Sequence, residues 1–375
     1  MTAPHILKAL ARCEVRALPN YNAGLSSETV RQRYGLTRIA KLGSNENPLG
    51  AAPAVAAAIA SAGADCAIYC DPQCAELRSA LAIELNVDPA YLVFGNGSED
   101  LLGILARTFL DHGDEVVTVL PAFGLHLIYP QAVGAEVRGV PLLADGSFDV
   151  DGMITALGPR TRLLMFSCPS NPVGSILFTA ELQRLLDALP EHTLLVFDEA
   201  YFEYAQVEAE YPDCLALLQA SGKPFVLLRT FSKAYALAGL RVGYGITSDP
   251  LLSELIDRMR TPFNVNRVAQ AAAVAALADN QHLQRGLELV ASERRRMCAA
   301  LHEMGLKVAP SWTNFLFFET SHEAEVVNER LLQFGVIVKP WRDAGYTGYL
   351  RVSVGSPEDN DMFLEALCRT LAELA

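Results

Sequence analysis

The stretch Phe225-Val226-Leu227-Leu228-Arg229-Thr230-Phe231-Ser232-Lys233-Ala234-Tyr235-Ala236-Leu237-Ala238-Gly239-Leu240-Arg241-Val242-Gly243-Tyr244 runs from one apolar segment into another through a loop bearing Ser232, Lys233 and Arg241. Phe225–Leu228 is too short for a helix and wholly apolar, as expected of a strand buried on both faces. Ligands of open parallel sheets sit outside the carboxyl ends of the strands. Lys233 follows such an end in largely apolar surroundings, which lower an amine's pKa and make it nucleophilic. Ser232 and Arg241 flank it, and both are good phosphate ligands. Read alone, the lysine fits a surface loop equally well.

Working outward, the same short apolar pattern recurs at Tyr91–Phe94, Glu115–Leu120, Arg162–Phe166, Thr193–Phe197 and Val242–Ile246, with helical patterns such as Leu101–Leu110 and Ala180–Leu189 between. The alternation predicts an α/β domain with a central, mostly parallel sheet flanked by helices. Beyond about residue 250 the character changes. An Ala-rich helical pattern covers Arg267–Met304, and strands are expected at Phe315–Phe318, Val336–Val338 and Tyr349–Val354, with helices at Glu323–Phe334 and Pro357–Leu374. These read as a smaller α+β domain. The expected division is 45–255 for the large domain, with 1–44 and 256–375 forming the small one.

Three other strand ends carry polar groups. Gly95-Asn96-Gly97-Ser98-Glu99-Asp100 opens a helix, and glycines beside a helix N-terminus make an anion site, or an ordinary turn with Ser98 as N-cap. In Ser167-Cys168-Pro169-Ser170-Asn171-Pro172-Val173-Gly174, two prolines hold a loop from which Asn171 offers its amide. Asp198-Glu199-Ala200-Tyr201 ends the most apolar strand. A carboxylate there costs several kcal/mol unless paired, so Asp198 needs a cationic or hydrogen-bonding partner; a metal, an arginine or a protonated ring nitrogen would each serve.

Composition narrows the function classes. The net charge of −13 and the lack of any basic run beyond Arg294-Arg295-Arg296 argue against nucleic-acid binding, and that triplet reads as a solvated helix face. The N-terminal residues show no apolar core of a secretory signal, and no uninterrupted apolar run approaches a membrane span, so a cytoplasmic protein is expected. Of eight cysteines, Cys66, Cys70 and Cys74 are spaced four apart, a pattern of neither zinc nor iron–sulfur sites; no metal is expected.

Taken in order, these motifs resemble the fold-type I pyridoxal-phosphate aminotransferases. Ser232-Lys233 through Arg241-Val242-Gly243-Tyr244 looks like the family's lysine segment, with Asn171-Pro172 and Asp198-Glu199-Ala200-Tyr201 in the family's order. Asn45-Glu46-Asn47-Pro48-Leu49-Gly50, Tyr69 with Asp71-Pro72, Gly95-Asn96-Gly97-Ser98 and Leu350-Arg351-Val352-Ser353-Val354-Gly355 are similar to the histidinol-phosphate branch. The likeness runs from about residue 20 to 356.

The resemblance implies pyridoxal phosphate held as a Schiff base by Lys233, which then moves the substrate proton. Asp198 would pair with the ring nitrogen, Asn171 and Tyr201 with the phenolic oxygen, and Phe123 would stack on the ring. The backbone N–H groups of Ser98 and Glu99, the Ser232 hydroxyl and Arg241 would hold the phosphate, with Tyr69 arriving from the partner of a homodimer. Arg351 would bind the substrate carboxylate, with Asn171, Tyr21 and Lys339 also on the substrate side. The implied reaction passes an amino group from histidinol phosphate to 2-oxoglutarate, in histidine biosynthesis. The alternatives are an aromatic or broad-specificity aminotransferase, or a decarboxylase of a phosphorylated amino acid. Three positions depart from the pattern. Cys70 stands where proline is usual, Phe123 where many members carry tyrosine, and Lys339 where many carry an arginine; lysine offers a cation without a bidentate fork. Trp341 beside it suits an aromatic or imidazole ring, or plain packing.

Overall fold

Every apolar run expected to be a strand forms one in the computed structural model, which describes residues 3–374. In chain order the strands are β1 (Ala40–Lys41), β2 (Leu92–Gly95), β3 (Glu115–Leu120), β4 (Glu136–Pro141), β5 (Thr161–Ser167), β6 (Leu194–Asp198), β7 (Phe225–Thr230) and β8 (Gly243–Thr247), then β9 (Lys307–Val308), β10 (Phe315–Glu319), β11 (Val336–Ile337), β12 (Lys339–Pro340) and β13 (Tyr349–Ser353). Seven of them form one sheet in the order β2-β8-β7-β6-β5-β3-β4. All its pairings are parallel except those of β8, which runs antiparallel to both β2 and β7.

The strand pleat explains the near-continuous apolar runs. Leu164, Phe166, Leu195, Phe197, Phe225 and Leu227 pack into the core on one face. Their neighbours Leu163, Met165, Leu194, Val196, Val226 and Leu228 pack into a second core on the other. Side chains alternate across a strand, so a sheet covered by helices on both faces needs apolar residues at every position. Burying each such Leu, Val or Phe contributes roughly 1.5–3 kcal/mol. The edge strand β4 lacks this signature. Glu136 and Pro141 on it are exposed, and only β3 pairs with it. Pro141 is tolerated because an edge strand has no second ladder to supply.

The second layer is an antiparallel sheet in the order β12-β13-β10-β9, with β1 pairing parallel to β11 alongside. Leu316, Phe318, Leu350 and Val352 form its core with Val327 and Leu331 of helix Ala324–Gln333 and Phe363 and Leu367 of helix Pro357–Leu374. Val30 of helix Ser27–Tyr34 packs on Leu332 and Ile337, tying the N-terminal segment to this sheet.

Three expectations need correction. The expected boundary after residue 255 falls inside helix Pro250–Met259, whose Ile256 packs under the seven-stranded sheet. Ala269, Ala272, Ala273 and Ala276 of helix Arg267–Ala278 also join the large core, beside Val55 of helix Pro53–Gly63. Small alanines let these two helices approach closely, so chain order misplaced them. Arg267–Met304 is likewise two helices, broken at Asp279, whose carboxylate accepts the His282 N–H at 3.0 Å and caps helix Asn280–Glu303. Finally, Arg294 is not on a solvated face. It is buried, donates to the Thr313 carbonyl at 2.7 Å and pairs with Glu208 at 2.5 Å, leaving only Arg295 and Arg296 exposed. No helix among the described residues is long and apolar enough to cross a membrane.

Candidate active site

The carboxyl ends of β2, β5, β6 and β7 open onto one cavity of about 890 Å³, which the second sheet and the segment around Tyr21 help to line. At the end of β2, Gly97 takes φ +85° and turns the chain into helix Ser98–Phe109. Ser98 and Glu99 are the first helical residues, so their N–H groups have no intrahelical acceptor. A Cβ on Gly97 would lie 2.7 Å from an Arg241 nitrogen, and one on Gly243 would lie 2.2 Å from the Ser98 nitrogen. Glycine at both positions is what brings the Arg241 guanidinium and the helix N-terminus together. Arg241 itself adopts φ +60° and pairs with the Glu99 carboxylate at 3.2 Å. Ser232, buried one residue before Lys233, accepts from the Thr230 hydroxyl at 3.0 Å. One concave spot thus combines free N–H groups, a hydroxyl and a guanidinium, the donor set a phosphate monoester needs.

Asp198 ends β6 and is only 3% exposed. The partner that burial demands is His126, whose Nε2 lies 3.2 Å from Oδ2; the Ala200 N–H donates to Oδ1 at 3.1 Å. Phe123 lies one turn before His126, with the two rings edge to face at 5.6 Å. Lys233 is partly buried, and its Nζ donates to the Ser44 carbonyl at 3.3 Å. Burial, and then the positive charges of Arg351 and Arg241, lower its pKa to about 8 against the pull of Glu46 and Asp198. The lowered value gives Lys233 a larger neutral fraction near physiological pH than a solvated lysine has, as a nucleophilic or proton-moving lysine requires.

A second polar network lies beside it. The Tyr201 hydroxyl accepts from the Asn45 amide at 2.9 Å and from the Asn171 amide at 3.3 Å. Asn171 Oδ1 in turn accepts from Arg351 Nη1 at 2.6 Å, while Arg351 Nη2 donates to the Gly43 carbonyl at 2.9 Å. Arg351 Nε has no protein partner. Lys339, in register with Arg351 on β12, donates to the Asn22 carbonyl at 2.6 Å. Burial and the neighbouring Arg351 and Arg342 bring its pKa to about 8, opposed by Glu325. Trp341 lines the cavity, with its indole N–H on Asp343 at 2.8 Å. Arg342 also lines it but is held by Glu325 at 2.5 Å. Tyr21 stands edge-on to Phe123 at 6.2 Å.

Of the residues singled out from sequence, Tyr21, Ser98, Glu99, Phe123, Asn171, Asp198, Tyr201, Ser232, Lys233, Arg241, Lys339 and Arg351 all line this cavity. Tyr69 does not. It is 79% exposed and stacks on Phe263 at 4.6 Å. Sequence reading missed His126 and Asn45. For His126 the signal was indirect: the cost of burying Asp198 predicted a partner without saying which residue supplies it. Asn45 lay in a quoted motif, but its αL backbone (φ +56°) and its contact with Tyr201 cross 156 residues of chain.

A mostly parallel sheet with a lysine, a carboxylate and an anion cradle at its strand ends, covered by a smaller sheet, is the arrangement expected of the fold-type I class. The chain matches the aminotransferase class I and II family over residues 37–367 and belongs to it. Membership makes it an aminotransferase that works with pyridoxal phosphate. Histidinol-phosphate aminotransferase 1 of Mesorhizobium japonicum is 47% identical over 362 residues, spanning 96% of this chain and 98% of that one. Histidinol-phosphate aminotransferase 3 of Rhizobium meliloti is 47% identical over 356 residues, spanning 95% and 96%. Among solved structures, the histidinol-phosphate aminotransferase of Sinorhizobium meliloti in complex with pyridoxal-5'-phosphate superposes with a TM-score of 0.89 at 32% identity, covering 98% of this chain and 99% of that one.

Proposed function

We propose that this chain transfers the amino group of histidinol phosphate to 2-oxoglutarate. The observation that carries the reading is a cavity with two separate cationic centres in Coulombic reach of one amine: Arg241 at the helix N-terminus, and Arg351 on β13. The first suits the cofactor's phosphate, and the second an anionic group on the substrate. Donor and acceptor both carry such a group close to the reacting carbon, a phosphate one CH2–O linkage away in the donor and a carboxylate directly bonded in the acceptor. A planar guanidinium with one unpartnered nitrogen serves either.

The residues fit pyridoxal phosphate. The cradle at Gly97, Ser98, Ser232, Arg241 and Gly243, where added Cβ atoms would collide, matches its phosphate. The buried Asp198 carboxylate, braced by His126, matches a protonated ring nitrogen. Asn171 and Tyr201 would meet the ring's phenolic oxygen, and Phe123 its face. When bound, the cofactor supplies the electron sink that lets the carbon–hydrogen bond beside the amino group ionise. Lys233 Nζ is the amine that would hold the cofactor and then carry the proton away from that carbon. Arg351 orients the substrate by its anionic group, and Tyr21 with Trp341 shields the side-chain end from water.

Relatives of the histidinol-phosphate class at 47% identity over nearly the whole chain support this choice of donor. The aromatic wall of Trp341, packed edge to face on Phe317, and the lysine at position 339 favour a second reading, an aromatic amino-acid aminotransferase. Measured kcat/KM for histidinol phosphate and for phenylalanine, each with 2-oxoglutarate, separates them. The first reading expects at least a hundredfold preference for histidinol phosphate, about 2.7 kcal/mol; no turnover of it would end that reading. We infer a homodimer with shared active sites: Ile68 and Tyr69 are largely exposed, and the family resemblance assigns Tyr69 to the partner's cofactor phosphate. Sedimentation showing a fully active monomer would overturn that.

A further inference from the structure

Residues 18–25 join helix Cys13–Ala17 to helix Ser27–Tyr34 without regular secondary structure. Pro19, Asn20, Tyr21, Asn22 and Ala23 line the active-site cavity, yet all are exposed to solvent. No side chain in this strap is buried, so packing does little to hold it. Its own hydrogen bonds are local: the Leu18 N–H reaches the Val15 carbonyl, and the Gly24 N–H reaches the Asn22 side chain. Among the described residues, one hydrogen bond joins the strap to the body of the protein, from Lys339 Nζ to the Asn22 carbonyl at 2.6 Å. Of the other cations near Lys339, Arg342 is committed to Glu325 and Arg351 to Asn171 and the Gly43 carbonyl.

We propose that Lys339 is a positioning residue: it holds the 18–25 strap, and Tyr21 with it, over the cavity, and so sets the KM for donor and acceptor alike without contacting either. The physical reason is ordering entropy. A free strap must be fixed at each binding event, whereas a strap already tethered by a short charge-assisted hydrogen bond does not lose that freedom again. The inference deepens the aminotransferase reading of the cavity but does not depend on which amino donor is used.

The test compares cofactor-loaded wild type, Lys339→Met and Lys339→Arg. Limited chymotrypsin digestion followed by mass spectrometry reads cleavage after Tyr21, and needs no substrate. Lys339→Met should be cut several-fold faster than wild type, and Lys339→Arg, which keeps a donor, at close to the wild-type rate. In steady state, Lys339→Met should raise KM for both donor and 2-oxo acid by roughly tenfold, the scale of one lost hydrogen bond to a charged group, with a smaller fall in kcat and recovery in Lys339→Arg. Equal cleavage of wild type and Lys339→Met, including none in either, overturns the proposal. So does a KM rise confined to a phosphate-bearing donor, which would make Lys339 a direct ligand of that phosphate. Cleavage is read without turnover, so a wrong choice of substrate would not disguise either result.

Discussion

Asn171, Asp198 and Tyr201 sit at or beside strand ends and Arg351 midway along β13, all with almost no exposure to solvent and each hydrogen-bonded to another residue of the site or its backbone. Elsewhere on the same cavity wall, Tyr21 is 51% exposed on a strap, and Trp341 and Lys339 lie on a loop and a two-residue strand. The contrast separates two jobs. Groups that must hold reacting atoms to within tenths of an ångström stand on the sheets or at their strand ends, where displacing one would strand buried polar atoms at a cost of about 1–3 kcal/mol each. Groups that wall the outer part of the cavity or hold its strap stand on loops and on the short strand β12, where a side chain can change at little cost to the fold. The departures from the family pattern at Phe123 and Lys339 fall outside the buried hydrogen bonds of Asp198 with His126 and of Asn171 with Tyr201 and Arg351.

The comparison is broken most directly at its rigid end. Lys233→Ala should lower turnover by roughly 10⁴-fold or more while leaving thermal stability near wild type, since a lost general base alone is worth about 10²–10⁴-fold. Residual activity within tenfold of wild type would move the chemistry to another residue. The next largest effect tests how firmly the strand ends are set. Arg229, on β7 four residues before Lys233, pairs with fully buried Glu199 at 2.8 Å, and Tyr211 donates to the same carboxylate. Arg229→Met leaves that carboxylate buried without a cation and should cost about 3–5 kcal/mol in urea titration. A loss below about 1 kcal/mol would mean that the pair is dispensable and the strand ends are held by packing alone. The smallest effect concerns protonation. Only neutral Lys233 attacks an aldehyde, and its pKa is lowered to about 8, so its reactive fraction grows as pH rises towards that value. Cofactor uptake by apoenzyme should therefore speed up about fivefold between about pH 7 and 8 and level off near pH 9. A rate still climbing tenfold per pH unit at pH 9 would indicate an ordinary, solvated lysine.

Much of the large sheet was legible because its strands are buried on both faces and contain almost nothing polar until they end. That made both the strands and the polar residues at their ends stand out, including Asn171, Asp198 and Lys233. The direction of β8 was not legible, because an apolar run reads the same whichever way it is laid in the sheet. Edge strand β4 was missed for the opposite reason: half-solvated, it carries Glu136, Arg138 and Pro141 and lacks an apolar run. Arg294 illustrates a further limit. Three adjacent arginines look alike in sequence, but successive residues on a helix point about 100° apart, so one turns inward to Glu208 and Thr313 while its neighbours face water.

From sequence alone came the α/β class, the family resemblance, and the cavity-lining residues from Tyr21 to Arg351. Local chemistry picked out Ser98, Asn171, Asp198, Ser232, Lys233 and Arg241, because an apolar strand must end before a polar residue can be tolerated; Tyr21, Phe123, Lys339 and Arg351 came from the family resemblance. Only the tertiary structure decided what those residues touch. The His126–Asp198 contact spans 72 positions, Asn171–Arg351 spans 180 and Lys339–Asn22 spans 317. Such pairings follow from how helices and sheets dock, and no local pattern encodes them. Lys233 shows both halves: its place after β7 is written in the chain, and its lowered pKa comes from burial and from Arg351 and Arg241, brought in by folding.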